Sequence, residues 1–295
     1  MLTLEKLAAL AEKYGSNLSS KVKEFALAGR HFAFNSEPSL MGVINLSAGS
    51  WYRESVCLSS ESAIRRGLVL QAQGADIVDI GAESTLAQAA RVDDKGQTAV
   101  LLPVVKALRQ HNVLVSVETY ETGVARACLE AGANIVNLTG SQASAELFRM
   151  IADHDAAVIL CYVQGENVRE VGDFDFGTDP IESMREYFAR QIEIATHNGV
   201  QKICLDPGLG FYYRNLQDSS VRVSHQMRVF LNSFRLRTLG FPICHALPHA
   251  FEFFGDEVRS AEPFFAVLAA LGKTDLFRTH EVPRIRAVLE TLKIG

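Results

Sequence analysis

Lys202-Ile203-Cys204-Leu205-Asp206-Pro207-Gly208-Leu209-Gly210-Phe211 is a short apolar run that carries one acid to its end, then breaks on a proline and two glycines. A buried strand that presents a carboxylate at the mouth of a parallel barrel and turns sharply away has this form. The same pattern, an apolar run with a polar tip followed by a helical period, recurs on both sides of it. Strands are predicted at 40–46, 76–80, 113–117, 134–138, 157–162, 202–205, 241–245 and 276–278. Helices are predicted at 61–73, 96–110, 122–131, 143–153, 180–198, 219–239, 259–271 and 282–292. Eight strand–helix units in roughly 250 residues match a (β/α)8 TIM barrel. The strands read as continuous apolar runs, as parallel strands covered on both faces should. A doubly wound open sheet is the competing architecture, and no GxGxxG follows the first strand to support it.

Residues 1–37 precede the repeat and read as an N-terminal helical extension, with helices at 3–12 and 20–28, leaving 38–295 as the barrel domain. The chain of 295 residues is 48% hydrophobic with a formal charge of -5, which argues against nucleic acid or an anionic membrane as partner. No apolar run approaches the roughly 20 residues of a membrane span. The first fifteen residues lack an apolar signal core. Five scattered cysteines form no CxxC pair, so the chain reads as reduced and cytoplasmic, with no zinc site.

In a (β/α)8 barrel, chemistry sits where strands end. The tips read Asn45, then Gly81-Ala82-Glu83-Ser84-Thr85, Glu118, Asn137, Gln164, Asp206, His245, and Arg278 with His280. Some polar tips are caps of the following helix, as expected for Thr119, Thr139 and Ser141. A whole ring of Asn, Glu, Asp, Arg and His is better explained as a binding site. A buried carboxylate such as Asp206, with Asn137 on the same rim, suits the 2-amino-4-oxo edge of a pterin or guanine. Arg278 and His280 suit an anion such as phosphate, and the Asn45 amide oxygen suits Mg2+. The structural alternatives are a turn cap for Asp206, a bridge to Glu281 for Arg278 and a turn residue for Asn45.

Met41-Gly42-Val43-Ile44-Asn45, Gly74-Ala75-Asp76-Ile77-Val78-Asp79-Ile80-Gly81, Glu83-Ser84-Thr85, Ser116-Val117-Glu118-Thr119-Tyr120, Gly132-Ala133-Asn134-Ile135-Val136-Asn137, Gln164-Gly165, Leu205-Asp206-Pro207-Gly208-Leu209-Gly210-Phe211 and Arg278-Thr279-His280-Glu281-Val282 occur in this order. Together they resemble dihydropteroate synthase, over roughly residues 38–293. That resemblance implies a folate-pathway transferase joining 6-hydroxymethyl-7,8-dihydropterin pyrophosphate to p-aminobenzoate, with Mg2+ assisting the loss of pyrophosphate. It implies that Glu118, Asn137 and Asp206 hold the pterin, with Gln164 and Phe211 also at the substrate. Asn45, Arg278 and His280 would then meet the pyrophosphate, with Asn45 on the metal.

The sequence departs from the family pattern in the catalytic loops. Ser47-Ala48-Gly49-Ser50-Trp51 stands for Thr-Pro-Asp-Ser-Phe, so the loop acid is gone. Leu86 stands where the second loop has arginine, and Glu118 replaces an aspartate. Pro248-His249-Ala250 falls where the family has Ser-Arg-Lys, and Tyr212-Tyr213-Arg214 replaces a Gly-Lys pair. Each lost charged donor is worth about 1.5–3 kcal/mol. The expectation is therefore a dihydropteroate-synthase-like pterin-binding protein with weak or absent ordinary synthase activity. The alternative is an active synthase using a modified pterin or another arylamine. Arg53, Arg214, His245 and His249 are the candidate replacement cations, and Trp51, Tyr212 and Tyr213 the candidate stacking rings. If histidines replace the lost cations, activity should fall above about pH 7. The apolar 267–271 stretch is a candidate homodimer face.

Overall fold

Eight parallel strands close into a barrel in this computed structural model, which describes residues 1–50, 52–86, 89–141, 144–211 and 213–294. The barrel strands are β3 (Ser39–Asn45), β4 (Ile77–Gly81), β5 (Val115–Thr119), β6 (Ile135–Leu138), β7 (Ala157–Cys161), β8 (Ile203–Asp206), β9 (Cys244–Ala246) and β10 (Leu276–Thr279). Their spatial order is β8-β7-β6-β5-β4-β3-β10-β9, and the parallel bridge Leu205–Ile243 completes the ring between β8 and β9.

The predicted helices surround it: α2 (Ser60–Ala72), α3 (Asp94–Gln110), α4 (Thr122–Glu130), α5 (Ala145–Asp153), α6 (Pro180–His197), α7 (Ser219–Asn232), α9 (Ala261–Leu271) and α10 (Val282–Leu292). Their starts follow local chemistry. Ser59 and Ser62 form a reciprocal capping box on α2, and Asp179 caps α6 just before Pro180. The predicted start of α5 at Ala143 lies outside the described residues. One long prediction splits, and the helix predicted at 259–271 is preceded by a further short segment. Helix α7 ends at Asn232 and continues as a 3-10 turn, Ser233–Leu239. Residues 251–271 form α8 (Phe251–Phe254), a 3-10 stretch Gly255–Ser260, and then α9.

The N-terminal extension differs from expectation. Helix α1 (Leu4–Lys13) forms as predicted, but the predicted helix at 20–28 is replaced by a hairpin of β1 (Phe25–Leu27) and β2 (Arg30–Phe32). Ala28 and Gly29 both take positive φ, a two-residue turn that a helix cannot accommodate. The hairpin buries Leu27, Phe32 and Phe34 against Met41, Ile77, Leu114, Ile135 and Leu276. Those residues lie on the inner face of the barrel at the N-terminal ends of its strands, so the extension plugs the barrel floor. The larger core lies between the strands and the helices. Among the described residues, no helix is long and apolar enough to cross a membrane.

Candidate active site at the C-terminal mouth of the barrel

Strand alternation decides which tips meet. Asp79 on β4, Glu118 on β5, Asn137 on β6, Asp206 on β8 and Arg278 on β10 lie in register steps that put them on the inner face. Four of them line, with Asn45, Phe211 and His280, a cavity of about 250 Å3 at the strand C-termini. Asp79 lies beneath it and is fully buried.

Arg278 organises the floor. Its Nε donates to Asp79 Oδ2 at 2.7 Å, and its Nη2 pairs with Glu118. The Asn137 amide donates to the same Asp79 oxygen at 3.2 Å, while Asp79 Oδ1 is buried without a partner. Asp206 Oδ1 accepts the Gly208 N–H at 2.8 Å. Gly208 makes this turn with φ +73°, and a Cβ there would stand 2.3 Å from the Tyr162 carbonyl. Burial pushes the Asp206 carboxyl up to about 6 against the pull of Gly208 N–H and Arg278. Burial likewise raises Glu118, opposed by Arg278. Three acids around one guanidinium leave a floor suited to a donor-rich, uncharged or cationic edge.

The mouth carries a second cluster. Glu262, in the first turn of α9, is completely buried; its Oε1 lies 2.7 Å from His280 Nδ1 and 3.2 Å from His249 Nε2. Its other oxygen accepts the Thr279 hydroxyl and the His280 N–H. Burial alone would raise this carboxyl, but His280 and His249 beside it hold it well below the usual range. Tyr52 packs on both rings, with centroids 4.7 Å from His249 and 4.6 Å from His280. The Tyr52 hydroxyl donates to Glu281, which Arg259 grips with two bonds of 2.6 and 2.8 Å.

The residues singled out in sequence do not all reach the cavity. Asn45, Glu118, Asn137, Asp206, Phe211, Arg278 and His280 line it. Asn45 Nδ2 donates to Ser55 Oγ at 2.7 Å, which orients the amide. Gln164 does not line it. Its side chain bonds Tyr162 Oη and both backbone groups of Asp175, closing its own loop instead of facing a ligand. Arg278 does not bridge to Glu281, because Asp79 and Glu118 take its nitrogens.

Of the replacement cations, His249 alone lines the cavity. His245 sits one residue before the inward-facing Ala246, so its ring points into the helix layer, bonds Ser233 at 2.6 Å and is pushed down to about 3 by burial. Arg53 donates to the Ala48 carbonyl, and Arg214 is an exposed partner of Asp173 at 3.6 Å. Tyr213 is buried, its hydroxyl accepting the Gln164 N–H at 2.9 Å. Trp51 and Tyr212 lie outside the described residues.

Sequence reading missed four groups. Asp79 was visible only as an acid inside an apolar strand, a strong sign of a buried pair. Tyr52 and Glu262 carry no local signal. Arg169 comes from the loop after β7 and donates to the carbonyls of Ser84, Leu86 and Ala89, the last two at 2.7 Å. It thereby holds the second loop, where Leu86 is buried.

Known proteins resemble this chain in sequence and in fold. The family model described as "Pterin binding enzyme" matches residues 41–243. The dihydropteroate synthase of Synechocystis is 30% identical over 263 residues, 85% of this chain and 88% of its own. That of Mycobacterium leprae is 29% identical over 267 residues, 86% of this chain and 91% of its own. Among solved structures, the Xanthomonas albilineans dihydropteroate synthase with 4-aminobenzoic acid superposes with a TM-score of 0.76 at 24% identity, covering 93% of this chain and 98% of its own. The Yersinia pestis synthase in its sulfonamide complex gives 0.77 at 22%, covering 92% and 98%.

Proposed function

The chain belongs to the dihydropteroate synthase family, and on that premise we propose that its barrel mouth binds a dihydropterin while catalysing the ordinary synthase reaction weakly or not at all. In this reading Asp206 and Asn137 meet the 2-amino-4-oxo edge, Glu118 helps to hold it, and Phe211 packs against the ring. The observation that carries the second half is the state of the cavity's cations. Arg278 is taken by Asp79 and Glu118, and Arg222 by Glu252 at 2.6 Å. Among the described residues, no unpaired arginine or lysine lines the cavity. A pyrophosphate ester entering it must compete with internal carboxylates for each permanent cation.

The residues present fit Mg2+ modestly. Asn45 offers one hard amide oxygen, oriented through Ser55, and Mg2+ is commonly held by one or two protein oxygens plus phosphate. When bound it would neutralise charge on a leaving pyrophosphate. The surrounding residues' own part would be to orient the pterin and shield its reacting carbon from water.

The alternative, an active synthase with a modified pterin or another arylamine, is supported by the retention of Asn45, Asn137, Asp206, Arg278 and His280 around one cavity. One experiment separates the two. Binding of the hydroxymethyl dihydropterin and of its pyrophosphate ester is compared by calorimetry, and pyrophosphate release is followed with Mg2+, with and without p-aminobenzoate. Comparable affinity for both ligands without amine-dependent release supports the binding protein. Amine-dependent release at an ordinary enzyme rate overturns it. Leu268 and Ala269 of the expected 267–271 face are buried within the chain, so a homodimer through α9 would rest on the exposed Phe264 and Leu271, and sedimentation velocity tests it.

A further inference from the structure

We propose that His249, Glu262 and His280 form a binding site for one divalent transition-metal ion of the zinc or cobalt class, at the edge of the cavity. The three come from separate segments: the loop after β9, the first turn of α9 and the end of β10. One donor atom from each lies within 4.8 Å of the other two. Glu262 Oε1 stands 2.7 Å from His280 Nδ1 and 3.2 Å from His249 Nε2. A tetrahedral ion with bonds of about 2.0–2.2 Å spans donors roughly 3.3 Å apart, so the Glu262–His280 pair must open slightly and the two imidazole nitrogens must draw together to admit it.

A second observation points to a ligand. His249 Nε2 is buried without a hydrogen-bond partner, although it lies 3.2 Å from a carboxylate oxygen. Buried ring nitrogens are normally partnered, and a cation between the two groups would partner both. The surroundings are those of a metal site. Glu262 Oε2 is fixed by the Thr279 hydroxyl and by the N–H groups of His280 and Glu281 at 3.1 and 3.3 Å. Tyr52 clamps both imidazoles. Two imidazoles and a carboxylate suit zinc-class ions, and three protein ligands leave a fourth position open. Because His249 and His280 line the cavity, that position faces a bound ligand. The cysteines take no part in this site, so their spacing could not announce it.

The consequence, though not the site itself, rests on the proposed pterin reading. A bound ion would return positive charge to the place where His249-Ala250 replaces the family's Arg-Lys.

The test uses the full chain stripped with a chelator. Co2+ is titrated and read by visible absorption, and Zn2+ by calorimetry. The expected result is one ion per chain, with affinity lowered at least about tenfold in His249→Ala. That ring lies at the cavity surface, so the variant should fold, and circular dichroism checks it. Absence of binding, or unchanged affinity in His249→Ala, overturns the inference. Dihydropterin titration of the same stripped protein keeps the two readings apart. Pterin binding without metal binding removes only this site, and metal binding without pterin binding removes only the proposed function.

Discussion

Arg278 on β10 reaches past β3 to Asp79 on β4, placing its Nε 2.7 Å from a carboxylate that is completely buried. The contact fixes the guanidinium beneath the cavity and leaves its other end on Glu118. Burial would lower the arginine's affinity for its proton, but Glu118 and Asp79 raise it beyond its ordinary value. It is a permanent charge compensating acids that could not otherwise be buried.

Arg278→Met should therefore cost about 3–5 kcal/mol in urea unfolding, because it strands two buried acids. The double variant Arg278→Met with Asp79→Asn should recover a large part of that loss. A single variant as stable as the parent would show that Asp79 and Glu118 do not depend on this arginine.

Arg169 governs the second loop through three carbonyls, at Ser84, Leu86 and Ala89. Arg169→Met should leave them without that donor and speed limited proteolysis at residues 84–86 and 89–91, with a stability loss of about 2–4 kcal/mol. Dihydropterin affinity should fall as well, since Ser84 and Thr85 line the cavity. Unchanged cleavage in the loop would assign its order to something else.

The barrel and its polar mouth were legible in sequence because both rest on local periodicity. Apolar runs gave the strands, and the polar residue at the end of most runs marked the rim. What escaped depends on contacts across the chain. The hairpin at 25–32 has too few residues for a period, and its turn, Ala28-Gly29, uses alanine in a left-handed conformation that sequence does not advertise. His245 was misplaced by a one-residue register error, which reverses the face of a strand residue. Glu262 lies in the first turn of an otherwise apolar helix, and only the fold brings it beneath His249 and His280. Gln164 occupies a strand tip, yet its own loop folds back on it.

Phe32 is the central ring of the floor plug, within 6.0 Å of Phe25 and 5.6 Å of Phe34. Phe32→Ala should lower stability by about 3–5 kcal/mol. Pterin affinity, measured well below the unfolding transition, should stay within about twofold, because the hairpin packs at the opposite end of the barrel. A large affinity loss in the folded variant would show that the floor shapes the mouth.

Asp206 sets a pH dependence with a defined sign. Burial raises its carboxyl from the ordinary 3.8 to about 6, so between those values the folded chain holds a proton that the unfolded chain has lost. Its contribution to stability is complete below about pH 4 and is lost as pH rises through about 6, with a size of about 3 kcal/mol. Asp275 is raised to about 6 and Glu118 to about 7, also by burial, so the parent's slope is shared; the difference between parent and Asp206→Asn reports Asp206 together with its repulsion of Glu118. That variant should gain stability relative to the parent as pH rises from 4 to 7. Ligand binding has the opposite slope. The pterin edge needs the ionised carboxylate as acceptor, so the dihydropterin Kd should fall about tenfold between pH 5 and pH 7. In Asp206→Asn the affinity should be weak, and the slope that remains across that range should come from Glu118, whose carboxyl burial also raises. A parent Kd independent of pH would mean that Asp206 does not accept from the ligand, and that its carboxylate serves the Gly208 turn alone.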